Sequence, residues 1–133
     1  PPPRILVVED EPAILNLVAK ILKNQKFLVL AAAGPIQALE IAAQGDQPID
    51  LLLSDILMPQ MNGRDLANQF RSLHPNAKIL LMSGYSADIL SKDNPIGTEV
   101  QFIQKPFANS DLVAKVREML NIPPVNRLPQ TPA

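Results

Sequence analysis

Five short apolar runs punctuate the chain, at residues 5–8, 27–31, 51–53, 79–82 and 100–103. The first four are continuous rather than alternating, as expected of strands covered on both faces in a parallel sheet. The fifth carries Gln101 and departs from that pattern. Between the runs the apolar spacing becomes helical. Ile14, Leu15, Val18, Ile21 and Leu22 share one helical face, and Pro12 suits a first turn. Gly34-Pro35 opens a second helix carrying Ile36, Leu39 and Ala43, and a third carries Leu66, Phe70 and Leu73. Residues 86–92 predict a short, weak fourth helix, broken by Asn94-Pro95-Ile96-Gly97. The last helix carries Leu112, Val113, Val116, Met119 and Leu120, with Asn109 or Ser110 as its cap.

Strict alternation of β and α elements implies right-handed crossovers and helices on both faces of a parallel sheet. For five strands this predicts an α/β, flavodoxin-like (βα)5 three-layer sandwich of strand order 2-1-3-4-5. At 133 residues the chain has the size of one domain. Of its 14 prolines, Pro1, Pro2 and Pro3 open the chain and Pro123, Pro124, Pro129 and Pro132 fall near its end. Residues 1–3 therefore read as linker, 4–122 as the compact domain and 123–133 as a Pro-rich tail. No initiator Met precedes the first prolines, in keeping with a piece of a longer protein.

Composition narrows the function classes. A net charge of −1 without basic or acidic blocks gives no nucleic-acid or membrane surface. The absence of cysteine excludes disulfides, thiolate metal sites and cysteine nucleophiles. No apolar run approaches the roughly 20 residues of a membrane helix, and no signal peptide is visible, so a cytoplasmic location is expected.

Candidate chemistry lies where the strands end. In open α/β sheets ligands sit outside the carboxyl ends of the strands, at the switch point of strand order. Glu9, Asp10 and Glu11 follow the first run, Ser54-Asp55 ends the third, Ser83-Gly84 the fourth, and Gln104-Lys105-Pro106 follows the fifth. The second run, at the far edge, leads only into Ala31-Ala32-Ala33. Each feature has a structural reading of its own. Glu9-Asp10 also suits a helix N-terminus, Asp55 and Ser83-Gly84 suit turns, and Lys105 suits a solvated surface. All of those readings must hold together at one end of one sheet, which favours a common site. Carboxylates gathered at one point repel unless a cation joins them, and all-oxygen ligation favours Mg²⁺ or a similar hard ion. With a lysine and a hydroxyl beside them, they supply the charge neutralisation that phosphoryl transfer needs. An aspartate can be the nucleophile, giving an acyl phosphate.

The sequence here resembles the receiver domains of two-component response regulators. The resemblance rests on Ile5-Leu6-Val7-Val8-Glu9-Asp10-Glu11, Asp50-Leu51-Leu52-Leu53-Ser54-Asp55-Ile56-Leu57-Met58-Pro59 with Met61-Asn62-Gly63, Leu81-Met82-Ser83-Gly84, and Lys105-Pro106-Phe107. It implies that Asp55 is the phospho-acceptor. Asp10, Asp55 and the Leu57 backbone carbonyl would bind Mg²⁺ directly, and Glu9 through a water. Ser83 and Lys105 would bind phosphoryl oxygens, with Phe102 as the aromatic switch residue that moves with Ser83. The resemblance further implies a cis Lys105-Pro106 bond, against about 5–6% for X-Pro bonds at large. Phe102 lacks the hydroxyl of some members, so its switching would be steric. Leu57 and Tyr85, two residues beyond Asp55 and Ser83, occupy positions that tune phosphoryl lifetime in the family; an apolar–aromatic pair would shield the phosphoryl group from water. A readout surface is expected on the fourth helical stretch, the fifth strand and the last helix.

An Asp-dependent phosphohydrolase would use similar groups, but such enzymes resemble one another in a second Asp two residues after the nucleophile, where this chain has Leu57. A pseudo-receiver would have lost the acceptor or the acid pair, and neither is lost. A flavin or nucleotide binder would need a Gly-rich loop after the first strand. His74, before Pro75, is expected to be a surface residue, Met58 and Met61 loop packing, and Phe70 core. The segments around Ser83, 94–97 and Lys105 most resemble the C-terminal receivers of hybrid sensor histidine kinases, with a free-standing regulator as the alternative. The implied partners are a histidine kinase domain, in cis or in trans, and a histidine phosphotransfer protein. As an isolated domain such a module catalyses only its own phosphorylation and dephosphorylation.

Overall fold

Each apolar run becomes a strand of one parallel sheet: β1 (Arg4–Val8), β2 (Leu28–Ala32), β3 (Leu51–Asp55), β4 (Lys78–Ser83) and β5 (Val100–Gln104). The computed structural model describes residues 2–45, 47–84 and 100–122. Strand order is β2-β1-β3-β4-β5, as the alternation of elements predicts. The expected helix over 86–92, with Tyr85, and the expected tail lie outside the described residues. Among the described residues the helices are α1 (Pro12–Asn24), α2 (Pro35–Gln44), α3 (Gly63–Leu73) and α4 (Asn109–Met119).

Strand residues alternate between two cores because successive side chains leave opposite faces. On one face Leu6, Val8, Leu52, Ile79 and Leu81 pack with Ala38 and Ala42 of α2 and Leu66 and Phe70 of α3. On the other, Ile5, Val7, Leu51, Leu53 and Leu80 pack with Val18 and Leu22 of α1 and Leu112 and Val116 of α4. Both faces of the central strands are thereby dry, which is why their sequences show no polar alternation. β5 sits at an edge, and there Gln101 and Phe102 stay half-exposed.

Pro12 and Pro35 occupy the first turns of α1 and α2. The last helix differs from expectation in its cap. Asn109 is already helical, Ala108 is the N-cap, and no side chain caps it. Asn62 instead caps α3, its side chain accepting from the Asp65 N–H at 2.9 Å. Ile36 and Leu73, placed on helical faces by the sequence pattern, are exposed.

Phe70 is fully buried, and Met58 and Met61 pack half-buried against the same core. His74 departs from the expected surface role. Its Nδ1 accepts from the Ile49 N–H at 3.3 Å and its Nε2 lies 3.0 Å from the Ala42 carbonyl. The ring also stacks on Phe70 at 5.1 Å. It is a half-buried tie between the end of α3, the end of α2 and the approach to β3.

Candidate functional site

β1 and β3 are hydrogen-bonded neighbours, with Val8 paired to Ser54, so the residues that follow them emerge side by side. Glu9, Asp10 and Asp55 thus gather at one point, with one carboxylate oxygen from each within 4.8 Å of the others. Asp55 is the last residue of a strand buried throughout and is itself only 9% exposed. Asp10 faces solvent, whereas Glu9 is 1% exposed. From the β5 side Lys105 reaches in, its Nζ 3.4 Å from Asp55 Oδ1 and 3.6 Å from Glu9 Oε1. The Lys105 N–H donates to the Ser83 carbonyl at 2.6 Å, tying this loop to the end of β4. Ser83 is buried. The Lys105-Pro106 bond is cis, as the resemblance implies.

Glu9 carries the strongest electrostatic tension. Its Oε2 accepts from the Glu11 N–H at 3.1 Å, but Glu11 is itself the N-cap of α1 and no side chain caps that helix. Its Oε1 is buried and has no hydrogen-bond partner. Burial, first of all, raises its carboxyl above the ordinary 4.5. The Glu11 amide opposes this, Asp55 adds to it, Lys105 opposes it, and a side-chain contact with Asp10 adds to it. A buried acceptor without a donor, beside two further carboxylates, is the donor set of a hard cation. The residues present therefore fit Mg²⁺.

Because the raised value lies above that of the unfolded chain, the native state holds a proton that the unfolded state releases first. Below 4.5 both states are protonated and Glu9 adds no pH dependence. As pH rises through the raised value, its contribution to stability declines. In chelator, the urea midpoint of the native chain is expected to fall over this window relative to Glu9→Gln, which lacks the titration. Parallel pH profiles for the two proteins would contradict it.

The β3–α3 loop is held by a close backbone approach. Gly63 N–H donates to Ile56 O at 2.7 Å, and a Cβ at Gly63 would lie 2.5 Å from Asp55 O and 3.0 Å from the Ile56 Cα. Real Cβ atoms do not come so near a carbonyl, so a side chain there must displace the backbone that carries Asp55. Gly63→Ala is expected to cost about 1–3 kcal/mol in urea unfolding and to weaken Mg²⁺ binding measured by calorimetry. Unchanged values for both would mean that the loop yields freely.

Of the expected site residues, the structure brings together Glu9, Asp10, Asp55 and Lys105, with Ser83 joined to Lys105 through the backbone. Leu57 lies in the following loop, 58% exposed. Phe102 is half-buried against the α2–α3 side of the core. Gly63 belongs to the quoted Met61-Asn62-Gly63 motif, but its contact with the Asp55 carbonyl has no signature in sequence.

Residues 5–117 match the family model described as the response regulator receiver domain. The chain is 34% identical over 116 residues to the sensor kinase CckA of Brucella abortus (strain 2308), covering 87% of this chain and 12% of that kinase. It is 32% identical to the response regulator receiver protein CpdR of the same organism, covering 88% of this chain and 96% of CpdR. Among solved structures it resembles the receiver domain of the hybrid histidine kinase CckA, with 35% identity and a TM-score of 0.76 over 88% of this chain and 98% of that one. Among the described residues no helix is long and apolar enough to cross a membrane.

Proposed function

Because the chain belongs to the response regulator receiver domain family, we propose that it accepts a phosphoryl group on the Asp55 carboxylate and thereby switches a partner-binding surface. The observation that carries this reading is the setting of Asp55. It sits at the mouth of a buried strand, with Glu9 and Asp10 on one side and the Lys105 ammonium at 3.4 Å. Glu9, Asp10 and Asp55, with the Leu57 carbonyl, would hold Mg²⁺. Bound there, Mg²⁺ would supply positive charge to the phosphoryl oxygens as they approach a cluster of carboxylates.

The residues of the chain do the rest. An Asp55 carboxylate oxygen attacks phosphorus, and the P–N bond of a phosphohistidine breaks as the P–O bond forms. The imidazole nitrogen leaves with the electron pair. Lys105 pairs with a phosphoryl oxygen in place of its present carboxylate partners, and the Ser83 hydroxyl donates to another. The Lys105–Ser83 backbone bond supports a joint inward movement, with Phe102 turning behind it. Couplings of this kind are typically about 1–3 kcal/mol, enough to bias a binding face without rebuilding the fold. Receiver domains in general work with histidine kinases and phosphotransfer proteins, and these are the partners proposed here.

The match over 96% of CpdR supports a free-standing regulator; the likeness to the CckA receiver supports a module of a hybrid kinase. The acceptor chemistry is common to both. Incubation with a small-molecule phosphoryl donor is expected to add the mass of one phosphoryl group in Mg²⁺ and none in chelator. Uptake independent of the metal, or none by a folded, Mg²⁺-binding chain, would overturn the reading.

A further inference from the structure

β2 is one of the two edges of the sheet, and its open side carries the backbone of only two of its residues. Leu28 N–H donates to Pro3 O at 2.9 Å, and Ala32 O accepts from Glu9 N–H at 3.2 Å. Leu28, Leu30 and Ala32 therefore turn their N–H and C=O groups toward β1, and Val29 and Ala31 turn theirs away. The open stretch is closed at both ends. Phe27 N–H bonds to Leu22 O at 3.3 Å, and Ala33 N–H to Gln37 Oε1 at 2.8 Å. From Phe27 to Ala33 there is no charge and no proline, the devices with which natural edge strands discourage pairing. Leu28 is 43% exposed, Ala31 is exposed, and Val29 and Leu30 are half-exposed.

We propose that β2 pairs antiparallel with β2 of a second copy of this chain, joining two sheets across a two-fold axis at Leu30. That axis sets Val29 opposite Ala31 of the second copy, and Ala31 opposite Val29 of the second copy. In each pair the two residues exchange both N–H···O=C bonds, the hydrogen-bonded pairing of an antiparallel ladder. Every open group is then satisfied by the same two residues, so the edge is complementary to itself, as an isologous contact requires. Leu28 faces the small Ala32 of the second copy, and Leu30 meets its own counterpart.

Charge favours the same direction. Lys23 and Lys26 are exposed near the start of β2, while Asp10 and Glu11 are exposed beyond the end of neighbouring β1. Antiparallel docking lays the basic end of one copy beside the acidic end of the other; parallel docking would set like beside like. A five-residue strand makes a small interface, so the association is weak and follows concentration. The proposal is independent of the phosphoryl chemistry.

In sedimentation equilibrium the mass is expected to rise from the 14.5 kDa of one chain toward twice that value as concentration increases. Ala31→Pro removes an outward N–H that β1 does not use, a substitution edge strands accept, and is expected to stay at one chain mass. Ala31→Lys keeps the N–H but sets cations near each other across the axis, and is expected to do the same; it serves if the proline variant fails to fold. In hydrogen exchange the Val29 and Ala31 amides should be unprotected in dilute solution and protected when concentrated, with Leu28 and Leu30 protected in both. A single-chain mass at all concentrations overturns the proposal, as does a dimer unaffected by either substitution. Protection of Val29 and Ala31 at single-chain mass would mean that another segment of this chain covers the edge, and overturns it equally.

Discussion

Asp55→Asn is expected to take up no phosphoryl group under conditions that label the native chain fully. An amide oxygen carries no charge and an amide nitrogen no available lone pair, so the substitution removes the nucleophile while keeping the side chain's size. The β3 backbone does not depend on the carboxylate: Asp55 O accepts from the Ser54 hydroxyl at 2.8 Å, and Ile56 N–H donates to Met82 O at 3.1 Å. The variant should therefore fold. Its electrostatics change in a readable way, because Asp55 is one of the groups that raise the Glu9 carboxyl. Without it, Glu9 moves back toward its ordinary range, and the decline of stability with rising pH in chelator becomes shallower. Intact mass reads the first effect and urea midpoints across pH the second. Full labelling of Asp55→Asn would place the acceptor elsewhere. An unaltered pH profile would show that Asp55 does not bear on the Glu9 carboxyl.

Labelling of the native chain bears on the hydrolase alternative. A turnover enzyme needs a proton donor for the leaving group, and the position two beyond Asp55 holds the exposed, apolar Leu57. The family membership and this side chain both favour a stoichiometric acceptor over a phosphatase. One phosphoryl group retained per chain, rather than steady release of phosphate, is the corresponding result.

The fold was legible because its central strands are buried on both faces. Residues 51–53 and 79–82 are aliphatic without interruption, and no other element class suits runs so short between helical stretches. The site was legible for a related reason. Once strand order places β1 beside β3, polar residues that directly follow those strands must meet, and Glu9, Asp10 and Asp55 do. What escaped were features that depend on distant partners. His74 looked like a lone loop histidine, yet it bonds to Ile49 and Ala42, 25 and 32 residues away in sequence. The crowding of Gly63 against Asp55 O depends on how α3 leaves its loop. Asn62 is different: an Asn directly before a helix is a cap signal legible in sequence, and its side chain does accept from the Asp65 N–H. At α4 the same signal misleads: Asn109 and Ser110 are cap-forming residues, yet the N-cap is Ala108.

Lys105→Met is expected to lower the rate of phosphoryl uptake by about 10²–10³-fold, the usual cost of removing one preorganised charge from a transition state, without weakening Mg²⁺ binding. The two readouts separate because the proposed function gives Lys105 a second role beside its contacts with the carboxylates. Its ammonium lies 3.4 Å from Asp55 and 3.6 Å from Glu9, neutralising in part the carboxylates that the cation would join. Removing it leaves that negative charge to the metal, so affinity by calorimetry should hold or rise. The incoming phosphoryl group then lacks its lysine partner, and single-turnover uptake slows. Lys105→Arg retains the charge, but its planar fork is not a compact point charge on a flexible stem, so recovery should be partial. A parallel loss of Mg²⁺ binding and uptake in Lys105→Met would mean that the lysine acts by holding the loop after β5 in place. A rate equal to that of the native chain would remove it from the chemistry and leave the metal and the Ser83 hydroxyl as the groups facing the phosphoryl oxygens.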